Sequence, residues 1–184
     1  MLFRSVAANL PEDILFQDMK SILSQKREVK IFCVNYTSKW DEQIFRFCLQ
    51  DEHATALCLA EGIGKYLYEP NASILKAGAY KSVALRYEVK KLNVSSHLYT
   101  SDNIIAAFPG RVFDVADVIP FSSRTCKVLA TDIPQANITV RNFPLSVDEL
   151  RKRTRIAEGG DIYLFATTLQ DGKKVILKCR KILI

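Results

Sequence analysis

Ala136-Asn-Ile-Thr-Val-Arg-Asn-Phe-Pro-Leu-Ser-Val-Asp-Glu-Leu-Arg-Lys-Arg-Thr-Arg155 is the stretch on which the fold turns. Its first half alternates, with Ile138 and Val140 on one side and Thr139, Arg141 and Phe143 on the other, the pattern of a strand with one buried face. Pro144 cannot donate to a ladder and ends the pairing. Ser146 and Glu149 then have the spacing of a capping box, in which a hydroxyl and a carboxylate take up free backbone donors at a helix start. A strand leading directly into a helix is the unit from which sheets with packed helices are built.

Working outward, Gly159-Gly160 predicts the left-handed stop of that helix, and residues 161–169 and 174–184 read as strands around the turn Gln170-Asp171-Gly172. Upstream, Asn71 is a candidate N-cap for a helix over 72–87, with Leu75, Ala79, Val83 and Tyr87 on one stripe. Residues 94–99 and 111–119 suggest strands and 124–130 a short helix. Further back, 29–36 and 43–49 are β-rich, 51–60 could be helical up to Gly62 and Gly64, and Ile14, Leu15, Met19, Ile22 and Leu23 follow helical spacing. The expected class is α/β (α+β), a mixed sheet with helices packed on it.

Composition narrows the function classes. The 184 residues are 48% apolar, without an apolar run near the roughly 20 residues that span a bilayer, and Met1 to Val6 do not read as a signal peptide, so none is expected. A cytoplasmic location is therefore expected. Met1-Leu2-Phe3-Arg4-Ser5 is what a start codon followed by a common sequencing-adapter end would encode, so these residues are expected to be a scar. Cys33, Cys48, Cys58, Cys126 and Cys179 are scattered and odd in number, which predicts buried reduced thiols and no metal centre.

Residues 1–65 hold 8 Lys+Arg against 9 Asp+Glu, whereas 66–184 hold 18 against 11. The basic excess thus belongs to the later part, as a polyanion-binding surface would require. Arg151, Lys152, Arg153 and Arg155 are more cations than helix-dipole compensation needs, and Arg141 stands on the strand before them. These five are the candidate phosphate contacts. Tyr68, Glu69 and Asn71 converge at a helix start and are the candidate rim of a substrate or domain interface. No catalytic set emerges. The Gly62/Gly64 pair does not open a helix, Ser73 and Lys76 match only a four-residue S-x-x-K, and His53 and His97 have no nucleophile elbow.

Three collinear runs resemble a known family: Tyr66-Leu-Tyr-Glu-Pro-Asn-Ala-Ser-Ile-Leu-Lys-Ala-Gly78; Ser96-His-Leu-Tyr-Thr-Ser-Asp102 with Phe108-Pro-Gly-Arg-Val-Phe113; and 136–153, continued by Gly159-Gly-Asp161 and Phe165-Ala-Thr-Thr168. They resemble the THUMP-like C-terminal domain of bacterial class I SAM-dependent methyltransferase-like proteins. The resemblance implies a THUMP-like domain over 66–184 and, more loosely, a remnant of a preceding ferredoxin-like domain over 1–65. It further implies a parent methyltransferase whose Rossmann core, with S-adenosylmethionine, lies outside this chain. The fragment itself would hold no cofactor and catalyse nothing alone. Its expected role is RNA recognition, tRNA foremost; the alternative is a structural module that docks on the missing N-terminal methyltransferase domain and stabilises it without binding nucleic acid.

Overall fold

The computed structural model describes residues 28–37 and 40–183. The helix predicted around Ile14 to Leu23 lies outside the described residues.

A hairpin comes first, with β1 (Lys30–Tyr36) antiparallel to β2 (Glu42–Cys48) in a register that pairs Cys33 with Phe45. Cys33, Phe45 and Phe47 face inward, while Phe32, Val34, Tyr36 and Ile44 remain exposed on the other face. Helix α1 (Leu49–Ala54) follows. It is shorter than expected: Thr55 is already extended at ψ 133°, and its side chain and N–H both bond to the carbonyl of Asp51.

The remaining strands form one sheet: β3 (Tyr66–Pro70), β4 (Lys90–Lys91), β5 (Tyr99–Ser101), β6 (Gly110–Pro120), β7 (Asn137–Arg141), β8 (Ile162–Thr168) and β9 (Lys174–Ile182). Their spatial order is β4-β5-β3-β6-β9-β8-β7. Only β7 and β8 pair in parallel, joined through a helix as a parallel pair must be. The expected mixed sheet is present, mostly antiparallel. The Asp171-Gly172 hairpin is also there, with Gly172 at φ 81°.

The helices are α2 (Ala72–Ala77), α3 (Tyr80–Arg86), α4 (Ser123–Asp132) and α5 (Val147–Thr154). Three expectations are corrected here. The single helix over 72–87 is broken at Gly78, which adopts φ 74° and turns its N–H back to the carbonyls of Ile74 and Leu75. The helix from Ser146 ends at Thr154, and the left-handed residue that stops it is Arg155, at φ 60°, rather than a glycine. The capping box of Ser146 and Glu149 is formed as expected. Residues 94–98 form a turn instead of a strand, because the Asn93 side chain accepts the N–H of Ser95 and His97 takes φ 52°.

Each side of the sheet has its own filling. Over β3 and β5, Tyr68, Tyr99 and Val112 pack on α2, α3 and the hairpin. Over β7 to β9, Ile138, Leu164, Ala166 and Ile176 pack on α4 and α5 through Leu129 and Leu150. Between these, the opposite face holds Leu67, Phe113, Phe165, Leu177 and Cys179, closed over by Leu92 and Leu98. That inner face is concave. The long β6 carries an irregularity between Val115 and Asp117, and the sheet curls until Arg141 on β7 meets Glu69 on β3, with β6, β9 and β8 lying between them in sheet order.

Four cysteines are buried and free as expected, and burial pushes the Cys179 thiol up to about 12. Cys58 is exposed, because the chain between α1 and β3 runs over the surface instead of continuing the helix.

Candidate nucleic-acid interface

Glu69 is the centre of the polar interior. It lies on β3, two residues after the core residue Leu67, so alternation aims it into the same concave face. It is 4% exposed. Its Oε2 accepts from Nε of Arg111 at 2.8 Å and from the same guanidinium's Nη2, while its Oε1 accepts from Nη2 of Arg141 at 2.7 Å. Arg111 sits opposite Glu69 in the β3–β6 register. Gly110 beside it permits this: a Cβ there would meet the Glu69 carbonyl oxygen at 2.2 Å.

Around this cluster stand groups not predicted from sequence. Thr167 is opposite Arg141 in the β7–β8 register, fully buried, and its Oγ1 has no hydrogen-bond partner among the described residues. His97 stacks on Tyr80 with ring centroids 4.1 Å apart, and its Nδ1 is likewise buried and unpartnered. Lys91, buried, donates to the Val94 carbonyl and lies 5.0 Å from the Tyr80 ring centroid. Burial first, then the charges of Lys91 and Arg141, hold His97 below the ordinary histidine value, and burial lowers Lys91 as well.

The predicted residues separate into two places. Arg141 belongs to the Glu69 cluster. Arg151 turns toward the other end of β7, donating to the carbonyls of Ile156 at 3.2 Å and Ala136 at 3.4 Å. Lys152, Arg153 and Arg155 are exposed, and among the described residues no carboxylate comes within 4.0 Å of them. Arg155 holds a left-handed conformation in which glycine is ordinary, so a cation is kept at a conformational cost of about 1 kcal/mol. The single basic face expected from Arg141 and α5 is therefore split, because α5 packs on the face of the sheet opposite to the one from which Arg141 projects.

The rim residues also divide. Tyr68 is wholly buried, its hydroxyl donating to the Asn103 carbonyl at 2.6 Å and accepting from the Ile105 N–H, so it serves the core rather than a rim. Asn71 caps α2, its Oδ1 accepting from Ile74 N–H at 3.2 Å and from the Ser73 hydroxyl at 2.8 Å.

Gly62 and Gly64 precede a strand, and a Cβ on Gly64 would press on the Ser101 backbone at 2.8 Å. The expectation that metal-ligand types do not cluster meets one exception among the described residues, Glu28, Cys48 and Asp51, although the Cys48 thiol donates to Gln50. No helix among the described residues is long and apolar enough to cross a membrane.

Residues 66–109 match the family model of a ferredoxin-like domain and residues 110–181 that of a THUMP-like domain. The chain carries a ferredoxin-like domain joined to a THUMP-like domain. The ferredoxin-like match lies downstream of the 1–65 that the sequence suggested for it, and the boundary between the two matches falls at Pro109-Gly110, where β6 begins. Among solved structures, a "putative methyltransferase" from Porphyromonas gingivalis W83 is similar at 44% identity and a TM-score of 0.80. The alignment covers 84% of this chain and 38% of that one. No curated protein matches. In these terms Glu69 belongs to the ferredoxin-like domain, and Arg111 and Arg141 to the THUMP-like domain. The ion-paired cluster is a seam between the two.

Proposed function

We propose that this chain is the substrate-recognition region of an S-adenosylmethionine-dependent methyltransferase, and that it holds RNA, tRNA foremost, through the cations at the end of α5. The observation that carries this is Lys152, Arg153 and Arg155 standing exposed in a THUMP-like domain, with no carboxylate within 4.0 Å of them among the described residues. Phosphate contacts of this kind supply sequence-independent affinity. The methyl donor and the transfer step would belong to a Rossmann-type domain outside these 184 residues, and the chain's own contribution would be to position the nucleic acid. The similarity to a putative methyltransferase and the THUMP-like match support this reading. The test is tRNA binding by fluorescence anisotropy across a salt series. The logarithm of affinity should fall linearly with that of salt concentration, and the slope should shrink in K152E/R153E/R155E. Absence of binding at low salt would sink the proposal.

A second reading rests on the hairpin. Phe32, Val34, Tyr36 and Ile44 form an exposed apolar face of the kind that docks on protein. Under it the chain braces the methyltransferase core and touches no RNA. Full-length activity would then fall in F32S/I44S and survive in K152E/R153E/R155E.

A further inference from the structure

The seam between the domains has donors to spare. Each guanidinium carries five N–H groups in a fixed fork. Arg111 uses its Nε and Nη2 on Glu69; Arg141 uses Nη2 on Glu69 and Nη1 on the Val140 carbonyl. Nη1 of Arg111 and Nε of Arg141 remain, on side chains 43% and 39% exposed. One carboxylate faces two guanidiniums, so the cluster keeps a net positive charge, and among the described residues no other carboxylate pairs with either arginine.

The neighbouring strand adds a second, independent observation. Thr167, 0% exposed, lies beside Arg141 on the face shared with Phe165, and its hydroxyl has no partner among the described residues. Buried hydroxyls are almost always hydrogen-bonded, and one that is not calls for an explanation. Val at this position would fill the same space without the cost.

We propose that Arg111, Arg141 and Thr167 form a phosphate-binding site, with Glu69 as the brace that orients both guanidiniums. Two forks fixed from a common carboxylate, plus a hydroxyl donor on the adjacent strand, match an oxyanion with several acceptor oxygens better than a carboxylate with two. The residual charge favours an anion, and the burial of Glu69 keeps the forks from collapsing onto solvent. The site is distinct from the α5 cations. Arg151 reaches the Ala136 carbonyl at one end of β7 and Arg141 stands at the other, about 17 Å away at roughly 3.3 Å per residue. It therefore does not depend on the RNA proposal.

The test titrates inorganic phosphate into the whole chain at constant ionic strength, followed by calorimetry. Saturable binding is expected. R111Q and R141Q should each weaken it tenfold or more and T167V severalfold, with R141K recovering only part of the loss because an ammonium lacks the fork. Thermal melts establish that each variant is folded, and T167V, nearly isosteric, keeps the test decisive if an arginine variant is not. No saturable binding, or wild-type affinity in both R141Q and T167V, overturns the proposal. Competition by uridine 5′-monophosphate but not by an oligoribonucleotide without terminal phosphates assigns the site to a monoester. The reverse assigns it to a backbone diester, and competition by neither again overturns it. Phosphate binding that persists while tRNA binding is absent removes the RNA proposal alone.

Discussion

Glu52 caps a helix that begins 28 residues further along the chain: its Oε1 accepts the N–H of Lys81 at 2.8 Å, and its Oε2 that of Ser82 at 2.7 Å. Helix α3 has Ala79 at its own cap position and so no local side-chain acceptor. A buried carboxylate on α1 satisfies the free donors instead, and it ties the hairpin to the ferredoxin-like domain. Glu52→Ala should therefore lower stability by about 2 kcal/mol, since it leaves two donors unpaired. Glu52→Gln, which keeps one acceptor oxygen, should cost less. Urea midpoints at a common slope measure both, and equal stability of Glu52→Ala and wild type would remove the cap from the account.

Gly110→Ala tests the seam from the backbone side. The added methyl would meet the Glu69 carbonyl oxygen at 2.2 Å and the Pro70 Cα at 2.8 Å, both backbone atoms held in the β3–β6 ladder. Neither can step aside without breaking that register. The expected loss is about 3 kcal/mol, the upper range for overpacking. Amide hydrogen exchange should report it as faster opening of β3 and β6, with β7 to β9 less affected.

Much of this architecture is written in short-range pattern. Ser146, Pro144 and Glu149 define a strand end and a helix start within six residues, and the alternation of Ile138 and Val140 sorts the strand's two faces. The break at Gly78 is hidden in sequence, because Leu75, Ala79, Val83 and Tyr87 keep i, i+4 spacing across it. What local pattern cannot carry is curl. Arg141 reaches Glu69 across 72 positions because the sheet bends, and Glu52 finds Lys81 because the hairpin folds back; neither contact has a sequence period. Grouping Arg141 with the α5 cations followed from nearness in sequence, which a strand and the helix packed on its opposite face do not preserve in space. Arg111 has a readable signal, a cation sharing a strand face with Phe113 and Val115. Thr167 had none, since only burial makes its hydroxyl unusual.

His97 predicts a pH response. Burial and the charges of Lys91 and Arg141 hold its folded-state value below the ordinary one near 6.5, so the unfolded chain takes up its proton first as pH falls. Its contribution to stability is complete above about 6.5 and is lost between there and the lower folded value. Stability should thus decline as pH drops from about 6.5 toward the lower folded value. His97→Phe, which keeps a ring against Tyr80, should flatten that part of the profile. A profile unchanged by the substitution would place the pH dependence elsewhere.

Glu149 should act in the neighbouring acidic window. Hydrogen bonds from the Ser146 backbone and then from its hydroxyl, with smaller help from the charges of Arg153 and Lys152, hold its carboxyl below the usual glutamate range. The capping box is then fully effective above about 4.5 and weakens as pH falls through the lower folded value. Ser146→Ala should cost about 1 kcal/mol at pH 7 and less at a pH low enough to protonate Glu149. Equal cost at the two pH values would mean that the carboxylate adds nothing to the hydroxyl.

Arg155 separates stability from binding. At φ 60° a side chain pays for a conformation that glycine adopts freely, and the helix ends there with the Arg155 N–H on the Arg151 carbonyl at 2.7 Å, a bond that glycine would keep. Arg155→Gly should leave stability unchanged or raise it by up to about 1 kcal/mol. If the exposed cation contacts phosphate, the same substitution should weaken tRNA binding and reduce the salt slope by about one. A purely structural residue would show the first effect without the second. A variant that melts higher yet binds tRNA less tightly would mean that the strain at the end of α5 is kept for the charge it presents.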